Sequence, residues 1–286
     1  MERRRKRKLR ATIWALAVVL LFLSNSATAR AGDTFDYGTY AAVLDVYVDE
    51  HGMVAYKSLK ENREKLDAFA TDLATLSPQT YSQWTDKEKV AFWINAYNAL
   101  TLLAIINHYP IEPSFVGSFL YPKNSIRQIS GVWDKLQFAV MGSKMTLDEI
   151  EHETLRKNFD EPRIHMALVC AAKGCPPLRS EPYTGEKLDA QLDDQTIRFL
   201  KDPGKLRIDP VEGKVYTSSI FKWFGKDFVK KYGTQEKFAD KSETERAPLA
   251  FISEYVDQSI ANYLATGDYA LEYLDYDWSL NEQGDT

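Results

Sequence analysis

Apolar residues recur at helical spacing in the first half of the chain. One such run lies between residues 59 and 76 and is followed by Pro78, which predicts a helix that ends before this proline. A second run follows the capping box of Thr85 and Glu88 and predicts a helix that continues to about His108. Helices therefore dominate this part of the predicted fold.

The second half of the chain continues the helical pattern. Thr146 and Glu149 form a second capping box, which predicts a helix that runs to about Phe159. Three further helices are predicted from the spacing of apolar residues, over 188–199, from Ser219 to Val229, and over 247–265.

Strand patterns are confined to short segments. Residues 132–140 contain alternating apolar residues before a turn at Gly142, residues 163–169 are a short apolar run, and a hairpin is predicted around 209–213. Helical segments outnumber strands, and their order is irregular. The pattern therefore predicts an α+β fold, a helix-rich single domain around a small, mostly antiparallel sheet.

The first 31 residues have the layout of a secretory signal. Seven basic residues within 3–10 precede an apolar run at 11–23, and small residues suited to cleavage follow. We predict that residues 1–31 are a signal peptide and that 32–286 are a single domain with no stable membrane anchor after cleavage. The alternative is an uncleaved anchor, although a membrane-spanning helix usually needs about 20 apolar residues.

Charge narrows the classes of partner. The chain has 36 Lys and Arg against 41 Asp and Glu, and residues 1–31 contain eight of the basic residues and one acid, which leaves a net charge of −12 on residues 32–286. A domain this acidic, without a basic stripe, is a poor nucleic-acid binder and lacks the polybasic face that anionic membranes attract. We expect an exported protein of the bacterial periplasm whose partner is a small molecule or peptide.

Two carboxamides stand inside the apolar run of the second predicted helix. Asn95 and Asn98 are three residues apart and therefore lie on one helix face. A buried carboxamide without partners costs about 1–3 kcal/mol, so both must be hydrogen-bonded or face a cavity. They either bridge backbone groups of neighbouring strands or line a cleft that binds a polar ligand.

Glu151, His152 and Arg156 form a charged run on the helix predicted after Thr146. Such a run is often an exposed face. Alternatively, the imidazole and the guanidinium face a carboxylate or another anionic group of a substrate. His152 is then a candidate general base, because the reference pKa of histidine lies close to neutral pH.

Both cysteines of the chain, Cys170 and Cys175, lie with His165 within eleven residues. In an extended strand, His165 and Cys170 would point to opposite faces, so His152 is the better partner for a thiol unless the strand bends. Lys173 nearby would favour a thiolate. The alternative is a disulfide between the two cysteines, which suits an oxidising compartment and leaves no nucleophile.

The motifs of common cofactor sites are missing from the sequence. It contains no glycine-rich phosphate loop, no dinucleotide fingerprint and no Gly-x-Ser-x-Gly elbow. The side chains of His152, His165, Cys170 and Cys175 could supply two nitrogens and two sulfurs to zinc. Their spacing, however, matches neither a Cys-x-x-Cys knuckle nor a His-Glu-x-x-His helix. We therefore predict no metal and no cofactor.

Several blocks occur in a familiar order, namely Gly52–Tyr56, Phe92–Asn98, Leu147–His152 with Leu155 and Arg156, Arg163–Arg179, and Tyr276–Asn281. On these blocks the chain resembles the bacterial, exported branch of domain-of-unknown-function family 547, from roughly residue 36 to its end. The resemblance implies little about chemistry, because the family is named for its unknown function.

A weaker similarity, at the level of fold, is to papain-like and transglutaminase-like thiol enzymes, which have a helix with small and polar residues, then strands, then a histidine. Those enzymes place the nucleophilic cysteine at the start of the central helix. Here that helix offers Asn95 instead.

The main functional hypothesis is thiol-dependent acyl or amide-bond chemistry in a polar cleft. Cys170 would be the nucleophile, His152 or His165 the base, and Asn95 an orienting donor. The predicted substrate-binding residues are Asn98, Glu151, Arg156 and Arg179. The alternative is a non-catalytic periplasmic binding or accessory module for a peptide or small anion.

Overall fold

The structure, a computed structural model, describes residues 34–115, 117–233 and 237–284. Among these, the residues from Phe35 onward form one compact unit. The predicted signal peptide, residues 1–31, lies outside the described ranges and stays a prediction.

Helices make up most of the described chain. The α-helices are α1 (Gly38–Tyr47), α2 (Tyr56–Glu61), α3 (Glu64–Thr75), α4 (Pro78–Ser82), α5 (Asp86–His108), α6 (Arg156–Asn158), α7 (Leu188–Lys201), α8 (Ser219–Tyr232), α9 (Glu243–Tyr255) and α10 (Gln258–Thr266). A π-helix, Glu149–Leu155, runs directly into α6. Single turns of 3₁₀-helix lie at Gly117–Phe119, Ile126–Gln128 and Pro162–Met166.

Within the described ranges, the strands are short and form two small sheets. They are β1 (Phe138–Val140), β2 (Ser143–Met145), β3 (Leu206–Asp209), β4 (Lys214–Ser218) and β5 (Ala270–Leu274). β1 and β2 form an antiparallel hairpin, whose turn has Gly142 at a φ of +74°. β3 pairs antiparallel with β4, and β5 joins β4 in parallel. The α+β prediction is confirmed, and the second sheet adds one parallel pair to it.

Helix α5 is the centre of the fold. Its predicted capping box is present, because the Glu88 N–H donates to the Thr85 hydroxyl at 3.3 Å and the Thr85 N–H donates to the Glu88 carboxylate at 2.7 Å. Buried residues lie on every side of the helix between Val90 and Ile106. Within the described ranges, α5 is long and apolar enough to cross a membrane, but 89% of its most apolar window is buried inside the fold, as in a core helix.

Two hydrophobic clusters pack side by side in the described unit. The first surrounds α5, and the second lies around α8 and α9, where Phe228 packs against Phe251. The segment just before Cys170 contributes to both clusters, because Met166 belongs to the second and its neighbours Ile164 and Ala167 belong to the first. The loop that contains Cys170 and Cys175, called the cysteine loop below, therefore lies where the two clusters meet.

Residues 163–169, predicted as a strand, are not one. Residues Pro162–Met166 form a 3₁₀-helix, opened by Pro162, whose fixed φ suits a first helical position. The Glu161 carboxylate accepts the Arg163 N–H at 3.1 Å and also binds the guanidinium of Arg163. Because this segment is not a strand, the expectation that His165 and Cys170 point to opposite faces does not apply.

Other boundaries differ because local breaks interrupt a periodic pattern. The helix predicted over 59–76 is α2 and α3, separated at Asn62, whose side chain binds a carbonyl of the preceding turn. The helix predicted over 247–265 is α9 and α10, separated at the extended Val256. Only the end of 132–140 is a strand. The remaining predicted helices and the hairpin are present, with Ser218 rather than Ser219 as the cap of α8.

Asn95 and Asn98 hold two irregular backbone segments against α5. The Nδ2 of Asn98 donates to the Ala167 carbonyl at 3.0 Å, and its Oδ1 accepts the Val169 N–H at 2.9 Å. Asn95 binds the N–H and the carbonyl of Tyr183 in the same manner, at 2.9 and 2.7 Å. Both carboxamides are buried. They therefore bridge backbone groups, as in the first of the two predicted alternatives, but the bridged segments are irregular and not strands.

Replacement of Asn98 by alanine is expected to lower the free energy of unfolding by about 2–6 kcal/mol. The reason is that the Ala167 carbonyl and the Val169 N–H would both be left buried without a partner, at about 1–3 kcal/mol each. Urea unfolding at neutral pH measures the change. The control is Asn158→Ala, which removes an exposed carboxamide and should cost less than about 0.5 kcal/mol. Equal losses in the two variants would contradict the role of Asn98.

Candidate functional site

A cleft of about 190 Å³ lies between the π-helix, the cysteine loop, α8 and the C-terminal tail. Its lining combines ionisable groups with aromatic rings. The ionisable lining residues are Arg127, Asp148, Glu151, His152 and His165. The disulfide-forming residues Cys170 and Cys175 lie in the same wall.

The π-helix brings Glu151 and His152 to the cleft. In this segment the N–H of Arg156 bonds to the carbonyl of Glu151, five residues earlier, so the helix is wound more widely than an α-helix. Widened turns of this kind are rare and occur frequently at functional sites. The predicted capping box of Thr146 and Glu149 opens the segment, but the widening carried no recognisable sequence pattern.

Glu151 carries a carboxyl that is about half protonated at neutral pH. Burial raises the pKa of Glu151 from 4.5 to about 7, against the opposing effect of Arg156 and with reinforcement from Asp148. A hydrogen bond with Tyr97 also favours the charged form without reversing the shift. The side chain of Glu151 is 12% exposed, so the carboxyl still reaches the cleft. It can therefore both donate and accept hydrogen bonds near pH 7.

Asp227 on α8 ties the charged groups together. Its carboxylate accepts the Nε of Arg156 at 2.6 Å and the Nη2 of Arg156 at 3.0 Å. It also accepts the Nε2 of His165 at 2.7 Å. Burial opposes the charge on Asp227, but the hydrogen bonds from His165 and Arg156 outweigh it and hold the pKa of Asp227 well below its usual value.

These hydrogen bonds determine the protonation of both histidines. Arg156 donates to the Nδ1 of His152 at 2.8 Å, and because a guanidinium only donates, that ring is neutral with its proton on Nε2. Burial and the charge of Arg156 lower the pKa of His152. His165 donates from Nε2 to Asp227, and burial lowers its pKa, which leaves Nδ1 as the acceptor nitrogen of a neutral ring. His165 is therefore the better candidate base of the two.

Asp227 was not predicted from the sequence. It lies on α8 between Phe224 and Phe228, and Phe224 stacks on His165 with ring centres 4.1 Å apart. An acidic residue that borders the apolar stripe of a helix usually needs a buried partner. This position in the sequence was the feature that could have indicated a role for Asp227. The partners come from segments 62 and 71 residues away, so spacing alone could not identify them.

Cys170 and Cys175 form a disulfide bond in the cleft wall, the bonded form of the two predicted alternatives. The Cys170 N–H donates to the Sγ of Cys175 at 2.9 Å. The Tyr276 hydroxyl also donates to this sulfur, at 3.1 Å, and lies 3.2 Å from the Sγ of Cys170. Burial, reinforced by the charge of Glu151, raises the pKa of Tyr276 far above its usual value, so the hydroxyl keeps its proton.

Aromatic rings form the opposite part of the lining. Trp223 and Trp278 both pack on Tyr276, with ring centres 4.9 and 4.6 Å apart. The guanidinium of Arg127 lies 4.4 Å from the ring of Trp278 and 5.3 Å from that of Trp133. The cation of Arg127 is thus already engaged by aromatic faces. Except for the tail block that contains Trp278, these aromatic residues were not predicted.

The predicted site residues divide into two groups. Glu151, His152, His165 and both cysteines line the cleft. The remaining four, Asn95, Asn98, Arg156 and Arg179, do not line it. Arg156 is bound to Asp227, and Arg179 is paired with Glu181 and Asp194. The carboxamides of the two asparagines bind backbone groups. Their positions do not support the predicted roles of Asn95 as a catalytic donor and of the other three as substrate ligands.

Metal binding finds no support in the described residues. No group of three or more His, Cys, Asp or Glu side chains among them is arranged to hold a metal ion. The sulfurs of the zinc alternative are joined to each other. The prediction that the protein has no cofactor stays a prediction.

The raised pKa of Glu151 predicts a pH-dependent loss of stability. Between pH 4.5 and 7 the folded protein keeps a proton on Glu151 that the unfolded chain has released, so the free energy of unfolding falls as the pH rises through this window. The fall is expected to approach about 3 kcal/mol and to be absent in Glu151→Gln. Urea unfolding at pH 5 and pH 8 measures the difference between the two proteins.

The control for this prediction is Glu153→Gln on the same helical segment. Lys157 lowers the pKa of the exposed Glu153, so this carboxyl is ionised throughout the window and its removal should leave the pH dependence unchanged. The two histidines act in the opposite sense, and they are common to all three proteins. An identical pH dependence in Glu151→Gln and the wild type would show that Glu151 titrates normally.

Comparison with known proteins finds that the central part of this site is similar to one family. Residues 81–200 match the family described as "Protein of unknown function, DUF547". The match includes α5, the π-helix and the cysteine loop, and it excludes Trp223, Asp227 and Tyr276, which α8 and the tail supply. No curated protein and no solved structure matches the chain. Over residues 81–200, the chain is thus similar to the DUF547 family of proteins of unknown function.

Proposed function

We propose that the protein is an exported binding protein whose cleft holds a short, uncharged peptide segment. The observation that carries this proposal is the combination of an aromatic wall with a carboxyl whose pKa is about 7. Aromatic rings bury the apolar part of a ligand, and a few convergent polar groups orient it. A peptide offers both an apolar side chain and amide groups.

The charges around the cleft favour this ligand over a small anion. Asp148 and Glu151 both have raised pKa values, first because of burial, and a further negative charge would be repelled by them. The lining cation, Arg127, is stacked on aromatic rings, and the Arg156 charge is neutralised by Asp227. A peptide carbonyl can instead accept a hydrogen bond from neutral Glu151, and the Nε2–H of His152 is a second donor.

The size of the cleft limits what it holds. Its volume of about 190 Å³ is below the roughly 300 Å³ at which typical drug-sized pockets begin. A dinucleotide or another large cofactor exceeds this volume. One apolar side chain with its flanking amides is of suitable size.

Export is part of the proposal and has two supports. The order of basic, apolar and small residues at the start of the chain is that of a secretory signal. Disulfides persist in oxidising compartments such as the bacterial periplasm, and Cys170 is bonded to Cys175.

Binding can be tested with a matched pair of probes. N-acetylphenylalanine amide is an uncharged peptide unit, and N-acetylphenylalanine has the same side chain with a carboxylate. At pH 8 we expect the amide to bind more tightly than the carboxylate. When the pH is lowered to 6, we expect the affinity of the carboxylate to rise, because Glu151 then takes up a proton. Isothermal titration calorimetry, without reductant, measures both affinities.

The two variants for this test each remove one aromatic ring, one inside the cleft lining and one outside it. Trp223→Ala removes a ring of the cleft wall and should weaken binding of the amide about tenfold. Phe119→Ala removes an aromatic ring that is 79% exposed and outside the cleft lining, and should leave the affinity unchanged. Tighter binding of the carboxylate at both pH values, or equal effects of the two variants, would contradict the proposal.

A second candidate function is thiol-dependent acyl chemistry in the reduced protein. The observation that favours it is the His165–Asp227 pair, whose imidazole lines the same cleft as Cys170. Asp227 orients the neutral ring, and its Nδ1 could take the proton of a thiol. This function requires that the Cys170–Cys175 bond be reduced first.

The second candidate predicts a burst of product from p-nitrophenyl acetate. After reduction, the Cys170 thiolate would attack the acetyl carbonyl and release nitrophenolate, and water would then hydrolyse the thioester. Reduced wild type and Cys175→Ser should both show the burst, and Cys170→Ser should lose it at least 100-fold, on the order of the effect of removing a nucleophile. A burst that survives in Cys170→Ser would exclude this mechanism.

A further inference from the structure

We infer that the Cys170–Cys175 disulfide is an exchange centre that oxidises dithiols, with Cys170 as the attacked sulfur and Cys175 as the leaving thiolate. The substrate class is a peptide or small molecule that carries two thiols. This activity goes beyond ligand binding and does not depend on the ligand proposed above.

The hydrogen bonds at Cys175 carry the inference. Its Sγ accepts the backbone N–H of Cys170 at 2.9 Å and the Tyr276 hydroxyl at 3.1 Å. Two donors directed at one sulfur stabilise a thiolate there, and a disulfide reacts faster when its leaving thiolate is stabilised. The Tyr276 hydroxyl also lies 3.2 Å from the Sγ of Cys170, so the backbone N–H of Cys170 is the donor that makes the two sulfurs chemically different.

The two cysteines also differ in exposure, and the difference agrees with the roles proposed for them. Cys175 is 4% exposed, whereas Cys170 is only partly buried and both line the cleft. An incoming thiolate therefore meets the sulfur of Cys170 first. The more accessible sulfur is attacked, and the better stabilised sulfur leaves.

The backbone at the disulfide also differs from that of an ordinary structural bridge. Ala171, which follows Cys170, has a φ of +59°, a left-handed conformation that non-glycine residues rarely adopt and that recurs at functional sites. The two cysteines are only five residues apart. A loop this short restricts the unfolded chain less than a long one does, so stabilisation alone is a weak reason for the bridge.

The exchange balances in two steps. A substrate thiolate attacks the Sγ of Cys170, the S–S bond breaks, and its electron pair remains on Cys175, which gives a mixed disulfide with Cys170. The second thiolate of the substrate then attacks its own sulfur in the mixed disulfide and releases Cys170. The substrate has lost two electrons and two protons, which the two cysteines have gained. Reoxidation is the same exchange in reverse with a second, disulfide-bearing partner.

The first test uses dithiothreitol as the dithiol and the folded full-length protein. Maleimide labelling and intact mass follow the appearance of the two protein thiols without denaturant. Tyr276→Phe removes one donor to the leaving sulfur and should slow reduction about tenfold. The control is Tyr269→Phe, which removes a buried hydroxyl without a hydrogen-bond partner among the described residues and should leave the rate unchanged.

A second test does not depend on Tyr276. Oxidised glutathione should form a mixed disulfide with Cys170 in Cys175→Ser at least tenfold faster than with Cys175 in Cys170→Ser, because Cys175 is buried. The proposal is overturned if dithiothreitol reduces the native disulfide only after urea unfolds the protein, or if the two single-cysteine variants react equally. Peptide binding is measured without reductant, so its success or failure is scored separately.

Discussion

The rest of the site depends on how a buried but irregular stretch of backbone satisfies its hydrogen bonds. Between Ala167 and Tyr183 the chain has no helix and no strand of a named sheet, yet much of it is buried. Buried N–H and C=O groups without partners are costly, so such a segment needs side chains to replace a ladder. Helix α5 supplies them through Asn98 at one end and Asn95 at the other.

This arrangement explains why polar residues stand in a helix that is buried on every side. A helix that is buried on all sides cannot direct a carboxamide to water, so each one must meet a backbone group. The result is a loop that is held at both ends and that presents its disulfide to the cleft. The loop is completed by the tail, where Tyr276 contacts both sulfurs.

The electrostatics of the cleft follow from the same burial. Asp227 is ionised because two donors reach it, whereas Glu151 is half protonated because desolvation exceeds the effect of Arg156. Both carboxylates are close to the same guanidinium, and the difference in hydrogen bonding separates their pKa values. Pairs of titratable groups with divergent pKa values are a common property of functional sites.

The sequence predicted the parts of the fold that depend on local pattern. The capping boxes of Thr85 and Thr146, the apolar periodicity of α5 and α7 and the hairpin at 209–213 are all present. The strand predicted at 163–169 failed because a short apolar run does not distinguish a strand from a buried turn.

Long-range partners set the limit for the site. The cysteines and both cleft histidines were identified from the sequence because these residue types are rare in the chain, and Glu151 was identified because it lies beside His152. Asp227 and Tyr276 could not be found in this way, because their roles arise from contacts with residues 62 to 106 positions away. The polar residues of α5 were correctly singled out, but pattern alone could not decide between a cleft and the backbone.

Amide hydrogen exchange in the native protein tests the central claim most directly, which is that two carboxamides hold the irregular segment against α5. The N–H groups of Val169 and Tyr183 each donate to an asparagine oxygen and are buried. NMR should find both protected to near the level of global unfolding, although neither belongs to a helix or strand. Exchange as fast as that of exposed loop amides would show that the segment is not held by Asn98 and Asn95, and would contradict the account.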